Sequence, residues 1–539
     1  MSSRFTRIER VLRMFTPIRP GEGPGIIVLA LNAFLLLSAY YIFKTLREAL
    51  ILSESGAVGK SVATGLVALV LIFLVPLYGV VFRHTNRTEL VYWVNAFFLT
   101  MLACLFAMGL AGGSVATLYY VWVGLFGVMV IAQFWAYATD IYNVKSGQRV
   151  FPIAVAASSI GALAGSWFSQ YAFITLDMSP YGLMIIASIL CILSTLLYRP
   201  ARYLAPEDSR CIECEYMKPK GESLFGGFAV VWGDHYLRLL ALFTVMLNWI
   251  NSSGEFILAQ VVEERAREMV QTGLTQLSVE QYVGAFYGSF SFAFNALGLL
   301  LQLFVVSRLL KVIGLRRALL ILPVLVALSY GLILFVPIFS LIRLTKVVEN
   351  GVDYSLMNTV RHALYLPTAR EVKYEGKTAI DSFFWRFGDL LQAGVIYAGV
   401  TWFDFGVRAF VLLNLGLALV WLGLSVIVGR EFGRMTRQNA PNVAPVLARA
   451  IPDQAVTPSS RFAFELAQDT FTDQDPGDVI TLSARVAGSE RLPRWLRFDP
   501  AAGRFSGVAP FRFEAFDIRV VATDLEGLEA VGSFRISPA

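Results

Sequence analysis

Long apolar runs are the feature that most constrains this chain. Stretches of about 20 mostly apolar residues recur between residues 26 and 428, and a helix needs this length to cross the hydrocarbon core of a bilayer. Only 16% of the 539 residues are charged, against about 25% in an ordinary soluble domain. Lipid is therefore the solvent for most of the chain, which excludes a disordered protein and argues against a soluble enzyme.

The apolar runs predict twelve spanning helices in two sets of six. The first set comprises residues 26–47, 60–82, 90–111, 117–142, 150–173 and 181–198. The second set comprises residues 237–260, 283–307, 316–336, 338–357, 378–401 and 407–428. The predicted fold class is an all-α polytopic membrane protein with a first half (26–198), a central loop (199–236) and a second half (237–430).

Loops rich in lysine and arginine alternate with loops that contain few of them. One side receives the basic segment 1–25, the central loop, and pairs such as Arg83 with Arg87, while the other has little beyond Lys60, Arg265 and Arg267. Cytoplasmic loops carry the excess of basic residues. Both termini are therefore predicted to be cytoplasmic in a bacterial-type inner (plasma) membrane, and segment 1–25, which lacks a cleavage site, is predicted to stay attached. This 6+6 layout is that of the major facilitator superfamily.

The sequence changes character after Arg437. Residues 439–539 contain 10 Arg, no Lys and 13 Asp and Glu, so this tail has a net charge of −3, whereas the rest has +9. A Pro/Ala-rich linker (431–449) precedes short alternating runs such as RFAFEL and FDIRVVAT, which predict an all-β sandwich over 450–539. The segments FTDQDPGD, LPRWLRFDPAAGRFSG and VVATDLEG resemble the dystroglycan-type cadherin-like or Ig-like repeat.

The tail also contains clustered carboxylates. The oxygen atoms of four aspartates can hold calcium, as they do in related cadherin-like repeats: Asp473, Asp475, Asp478 and Asp524. The alternative is a solvated acidic loop. Because free calcium is scarce in the cytoplasm, the predicted location favours binding of a protein partner, or scaffolding, over calcium binding.

Charged and amide side chains concentrate in the helices that line the central cavity of a facilitator, and in the eleventh helix. They are Lys44, Arg47, Glu48, Gln133, Asp140, Asn248, Asn251, Glu255, Lys346, Glu349, Asp353, Asp381, Arg386 and Asp389. A charge at membrane depth is costly unless it is paired or faces water, so these residues predict a substrate pathway. Both signs are present, which suits a solute whose phosphates bind Lys and Arg while its base or sugar binds carboxylates.

A purely structural interpretation stays open for several of these side chains. Lys44 and Arg47 lie near the end of a span, from which their charges can extend to the interface. Arg386 and Asp389, three residues apart on a helix, can form a structural ion pair. The carboxylates of the fourth and seventh helices can be capping or gate residues.

Three stretches resemble the nucleotide transporter family typified by the ATP:ADP antiporters of plastids and obligate intracellular bacteria. They are KTLREALIL (44–52), FWAYATDIYNVKSGQRVFPIAVAASSIGALAGS (134–166) and DYSLMNTVRHALYLPTAREVKYEGKTAIDSFFWRFGDLLQAG (353–394). The third is the most specific, through its YSL, its Tyr-x-Pro and its Lys-x-x-Gly-Lys-x-Ala-Ile-Asp. The resemblance implies that Lys44 and either Arg361 or Lys377 contact phosphate, and that Asp140 and Glu255 act in substrate or counter-substrate handling.

Three motifs depart from the pattern of that family. The Lys-Glu of the tenth-helix motif reads Arg-His at residues 361 and 362, Asp140 replaces the usual Glu, and the closing Gly-Lys-Ser reads Gly-Asp-Leu around Asp389. A lysine is lost and an aspartate is gained beside the pathway. Repulsion of a nucleoside triphosphate is the expected consequence.

Weaker patterns do not favour another class of protein. Cys211 and Cys214 form one CxxC without further zinc ligands, and GAVGKS (56–61) lacks the spacing of a phosphate-binding loop. No nucleophile and base occur in a suitable context, so neither an enzyme nor a cofactor is predicted. The basic residues lie scattered between apolar spans, so the pI near 9 does not indicate nucleic-acid binding.

The sequence thus predicts a secondary transporter, monomeric in the lipid bilayer, that exchanges a small-molecule substrate such as ATP and ADP by alternating access. One alternative is a proton-coupled carrier of another anionic or amphipathic solute, in which Asp140, Glu255 or Asp353 titrates. A second alternative is a non-transporting receptor or scaffold that acts through the C-terminal sandwich.

Overall fold

Two compact units make up the protein. The computed structural model describes residues 6–13, 16–84, 87–205, 226–368, 370–438, 443–473, 479–489, 491–525 and 527–539. One unit, Met1–Met435, is helical, and the other, Thr436–Ala539, contains the β-strands.

The first half of the helical unit begins with a short helix, α1 (Arg7–Leu12), and continues with longer ones. These are α2 (Gly23–Glu54), α3 (Gly56–His84), α4 (Arg87–Leu110), α5 (Ala116–Ile141), α6 (Val144–Ile174), α7 (Pro180–Leu196) and the short α8 (Tyr198–Leu204). Side-chain caps fix two of the starts, because Asn143 accepts a hydrogen bond from the Ser146 amide and Ser179 accepts one from the Gly182 amide.

The second half contains more breaks. Its helices are α9 (Gly226–Gly233), α10 (His235–Gln271), α11 (Val279–Leu301), α12 (Ser307–Phe335), α13 (Phe339–Val352), α14 (Asn358–Ala363), α15 (Arg370–Ala379), α16 (Trp385–Phe403) and α17 (Val407–Gln438). Three π-helical turns join neighbouring helices: Gln302–Val306, Asp353–Met357 and Ile380–Phe384. Turns of this kind are frequent at functional sites.

Helices lie at each of the twelve predicted positions, but fewer are apolar enough to be recognised as spans. In the described residues, eight helices combine sufficient length with an apolar window, or nine if the pair Gly227–Gly233 and His235–Gln271, bent by 110°, is one span. One of the eight, Val279–Phe335, has 57 residues, which at 1.5 Å per residue gives about 85 Å, far beyond a core of about 30 Å. Gly314, with φ of 73°, breaks this stretch into two. The count of twelve stays a prediction.

The second unit is a β-sandwich. Its strands are β1 (Val446–Leu447), β2 (Gln454–Val456), β3 (Arg461–Glu465), β4 (Phe471–Thr472), β5 (Thr481–Val486), β6 (Leu496–Asp499), β7 (Arg504–Val508), β8 (Phe516–Thr523) and β9 (Glu529–Pro538). One sheet has the order β2-β9-β8-β5, with β2 parallel to β9, another has β3-β7-β6, and β1 pairs with β4. Inward-facing Phe505, Ile518, Val520 and Phe534 form its core. The predicted combination of a helical membrane region and an all-β tail is confirmed.

Two predicted loops contain regular structure. The segment 199–236 includes most of α8 and all of α9, while residues 206–225 lie outside the described part. The predicted linker 431–449 holds the last turns of α17, which an ion pair of 2.5 Å between Glu431 and Arg434 supports. It also holds β1, because Val446 and Leu447 pair with β4, a contact that composition alone does not indicate.

Glycine allows α6 to pack closely against helices of both halves. A Cβ on Gly161 would lie 2.4 Å from the carbonyl oxygen of Phe34, and one on Gly165 would lie 2.4 Å from that of Ser38, both on α2. On α11, a Cβ on Gly288 would lie 2.9 Å from the amide nitrogen of Gln170. Small residues at helix contacts are the usual way in which membrane helices bring their backbones together.

Replacement of Gly161 by Ala is expected to destabilise the helical unit by about 1–3 kcal/mol, since the added methyl group meets backbone that cannot move away as a side chain can. Thermal unfolding of the detergent-purified protein measures this. Gly416→Ala, on α17, is the matched control, because its Cβ would meet nothing within 4 Å. Equal unfolding temperatures for the two variants would contradict the packing argument.

Candidate functional site

A cavity of about 310 Å³ lies between the two halves of the helical unit. The first half contributes residues of α2, α3 and α5, and the second half contributes residues of α10, α11, α13 and α16. Its volume is at the lower end of the range of small-molecule sites, about 300–1,000 Å³. Seven ionisable Lys, Arg, Asp and Glu side chains line it: Lys44, Arg47, Glu48, Lys60, Glu255, Arg386 and Asp389.

A network of ion pairs forms part of the wall of the cavity. The Nζ of Lys60 is 2.8 Å from Oε2 of Glu48 and 3.7 Å from Oε2 of Glu255. Arg47 pairs with Glu48 at 2.5 Å, and its guanidinium lies 4.3 Å from the centre of the Tyr120 ring. Glu255 also accepts a hydrogen bond from Asn350 at 3.1 Å. Lys60 is 5% exposed and Glu48 is 3% exposed, so both charges depend on these partners.

This network joins the two halves, because Glu48 and Lys60 belong to the first half and Glu255 to the second. Two further contacts between the halves involve α3. The backbone amide of Ala57 donates to Glu263 at 2.7 Å, and Gln392 donates to Ser61 at 2.8 Å. The halves are therefore held together by polar contacts where α2 ends and α3 begins.

A second ion pair lies on the wall formed by α10 and α16. Arg386 and Asp389 approach to 3.4 Å, and Asp389 accepts a hydrogen bond from Ser252 at 2.7 Å. Nearby, Asn248 donates to the carbonyl oxygen of Trp385 at 2.7 Å. The negative charge of Asp389 is thus offset by a neighbouring guanidinium and a hydroxyl group.

Lys44 differs from the other cations of the cavity. Its ammonium lies 5.5 Å from the ring centres of Tyr41 and Phe294, which is the geometry of a cation–π contact. Among the described carboxylates, none lies close enough to form an ion pair with it. Lys44 is therefore the cation with the least competition for a bound anion.

The structure brings four predicted site residues to this cavity: Lys44, Arg47, Glu255 and Arg386. Lys346 and Glu349 form an ion pair of 2.9 Å inside the second half, where Asp353 is a neighbour on the same helical face. The remaining predicted site residues do not line the cavity. The guanidinium of Arg361 lies 4.4 Å from the ring centre of Trp385, which is a lining residue, and the ammonium of Lys377 lies 5.8 Å from the ring centre of Tyr365. Asp140 and Asp381 also lie outside the lining.

The contacts of Lys60 do not follow from the apolar pattern of the sequence. The predicted span begins at residue 60, which places this lysine among the loop residues of the outer side, whereas α3 begins at Gly56. The four added residues place Lys60 one turn inside the helix. The signal that was available is the pairing of Glu48, near the end of one span, with a lysine just inside the next.

The described residues include no group of three or more His, Cys, Asp and Glu side chains that could hold a metal ion. Two of the predicted calcium ligands, Asp475 and Asp478, lie outside the described residues. The CxxC motif of Cys211 and Cys214 lies outside them as well. Asp524 accepts a hydrogen bond from the Leu528 amide at 2.8 Å, which closes a turn. Calcium binding by the tail stays a prediction.

Comparisons with known proteins support the two units separately. Residues 444–539 match the family model described as Putative Ig domain. The chain is 24% identical over 322 residues to ADP,ATP carrier protein 1 of Chlamydia pneumoniae, covering 52% of this chain and 60% of the relative. It is 22% identical over 317 residues to the protein of the same name from Chlamydia trachomatis, covering 52% and 58%. The match thus spans about three-fifths of the length of these relatives.

Solved structures resemble the helical unit. The nucleoside transporter NupG superposes with a TM-score of 0.54 at 12% identity, covering 76% of this chain and 98% of that chain. A POT family transporter in complex with 5-aminolevulinic acid gives 0.52 at 14% identity, covering 76% and 96%. The chain is a multi-pass membrane protein with a transporter fold. The predicted similarity to ADP,ATP carriers and the predicted facilitator-type fold are both confirmed.

Removal of Lys60 is expected to destabilise the protein strongly. Lys60→Met leaves the buried carboxylate of Glu48 without its ammonium partner, and the loss of one member of a buried pair costs about 3–5 kcal/mol. The double variant Lys60→Met with Glu48→Gln is expected to lose less than the sum of the single variants. Thermal unfolding in detergent measures both.

Arg265→Met provides the control for this comparison. Arg265 pairs with Glu268 at 2.7 Å, but the two side chains are 42% and 57% exposed, so water screens the pair and its loss is expected to change the unfolding temperature little. Strict additivity of the Lys60 and Glu48 substitutions would contradict the pairing.

Proposed function

We propose that the chain is a secondary transporter that exchanges nucleotides, ATP and ADP or related compounds, by alternating access of its two halves. The observation that carries the proposal is the cavity between the halves, in which cationic side chains and aromatic rings face one space. Lys44 and Arg47 supply positive charge for phosphate oxygens, and Tyr40, Tyr287 and Trp385 supply ring faces for a base. Similarity to ADP,ATP carriers supports the same class of substrate.

The charge balance of the cavity fits an anionic solute. Its lining has four cationic and three anionic side chains, so the net charge is +1. Of the cations, Arg47 and Lys60 share Glu48, and Arg386 is paired with Asp389. A phosphate group would therefore meet Lys44 first, and a second phosphate would compete with Asp389 for Arg386.

The distribution of basic loops supports an inner-membrane location with cytoplasmic termini. In this orientation, α2 runs outward, so the ion-pair network of Lys60 lies toward the outer side and holds the halves together there. An opening toward the outside then requires separation of Lys60 from Glu255.

Uptake by proteoliposomes tests the proposal. Vesicles loaded with unlabelled ADP are expected to take up labelled ATP or ADP saturably, and faster than vesicles without internal nucleotide. Lys44→Ala is expected to lower uptake about 10- to 100-fold, because it removes a charged hydrogen bond of about 1.5–3 kcal/mol. Lys311→Ala, an exposed cation on α12, is expected to leave uptake unchanged. No uptake above that of empty vesicles would reject a nucleotide substrate.

A second variant tests the departure from the family pattern. Asp389→Asn removes a negative charge from the cavity and releases Arg386 for a further phosphate. The uptake of ATP relative to ADP is therefore expected to rise several-fold, measured by competition between the two labelled nucleotides. An unchanged ratio in a variant that still transports would show that Asp389 does not select against the triphosphate.

A further inference from the structure

A second cavity, of about 20 Å³, lies inside the second half. Four apolar side chains form part of its wall, and the rest is polar: Asn251 from α10, Glu349 from α13, Asp353 from the π-helical turn and Trp421 from α17. A site that holds one water molecule needs about 10–15 Å³ and two to four polar partners. This cavity meets both conditions.

Two polar atoms of its lining residues have no hydrogen-bond partner in the described part of the chain. Glu349 is 4% exposed; its Oε2 bonds to the ammonium of Lys346 at 2.9 Å, whereas its Oε1 has no donor. Trp421 is 1% exposed, and its Nε1–H has no acceptor. A buried acceptor and a buried donor without partners are uncommon in native proteins, and both residues line this cavity.

One carboxylate of this cavity, in the π-helical turn that continues α13, has no ion pair in the described part of the chain. Lys346 neutralises Glu349, while Asp353 has no ion pair among the described residues. The groups that face Asp353 and Lys346 from other helices are Glu255 on α10, Tyr330 on α12 and Arg361 on α14. The guanidinium of Arg361 is shared with the ring of Trp385, whose centre lies 4.4 Å away.

We propose that Glu349, Asp353 and a water molecule in this cavity form a proton-binding site. The water accepts a hydrogen bond from Nε1 of Trp421 and donates one to Oε1 of Glu349. A proton that arrives from solvent is held as a carboxylic acid on Asp353 and is shared with Glu349 through the water. A metal cation fits less well, because the indole N–H and the Lys346 ammonium are donors that would face it.

Single residues connect this site to the central cavity. Asn251 lines both cavities, and Asn350, the residue after Glu349, donates to Glu255 in the central cavity. Tyr354, the residue after Asp353, also lines the central cavity. Proton binding in the second half is thus linked to the substrate cavity by single residues, whichever solute is carried.

Infrared spectroscopy of the purified full-length protein tests the site without a substrate. Titration from alkaline to acidic pH is expected to produce the carbonyl band of a protonated carboxyl group inside the helical unit, and Asp353→Asn is expected to remove at least half of its amplitude. Trp421→Phe is expected to shift the position of the band, because the bridging water loses its donor.

Asp404→Asn is the matched control, since Asp404 is an exposed carboxylate at the end of α16 and is expected to leave the band unchanged. Glu349→Gln removes the partner of Lys346, so the proposal is judged on Asp353→Asn, which breaks no ion pair among the described residues. A band of the same amplitude in wild type and in folded Asp353→Asn would overturn the assignment. Failure of nucleotide uptake would not, because the band is measured in the absence of any nucleotide.

Discussion

The ammonium of Lys60, held between Glu48 of the first half and Glu255 of the second, is the contact on which the arrangement of the central cavity depends. In a region of low dielectric constant, none of the three charges is stable alone, so each constrains the position of the others. Arg47 joins through Glu48, and Asn350 joins through Glu255. One cation thus fixes the relative positions of α2, α3, α10 and α13.

The need of each buried charge for a partner also explains where the polar helices of the second half lie. α13 is short, with 14 residues, and carries Lys346 and Glu349, while Arg386 and Asp389 lower the hydropathy of α16. Asp353 and Asp381 lie in the π-helical turns that follow α13 and α15. Lys346 and Glu349 are 2% and 4% exposed, so their charges face neighbouring helices rather than lipid. Polar helices of this kind are stable only when apolar ones surround them. Their low hydropathy therefore indicates an internal position in the bundle.

Much of this organisation could be predicted from the sequence, because apolar length and basic loops report directly on the bilayer. The alternation of apolar and polar residues predicts the β-sandwich. The cost of a charge at membrane depth points to Lys44, Arg47, Glu255 and Arg386 as candidate site residues. The sequence could not show which neighbour a helical face meets. The spacing of Lys346 and Glu349 puts them on one face, but only packing decides that this face meets α10, α12 and α17 rather than the central cavity.

Close packing at Gly161 and Gly165 has a consequence for motion. Because no side chain separates α6 from α2 there, neither helix can slide along the other without a collision of backbone atoms. Lys44, Arg47 and Glu48, carried by α2, therefore travel with α6 as a rigid body. The same α6 meets α11 of the second half at Gly288, where a Cβ would lie 2.9 Å from the amide nitrogen of Gln170. α6 is therefore in close contact with both halves, so the positions of the charged side chains on α2 are coupled to the packing between the halves.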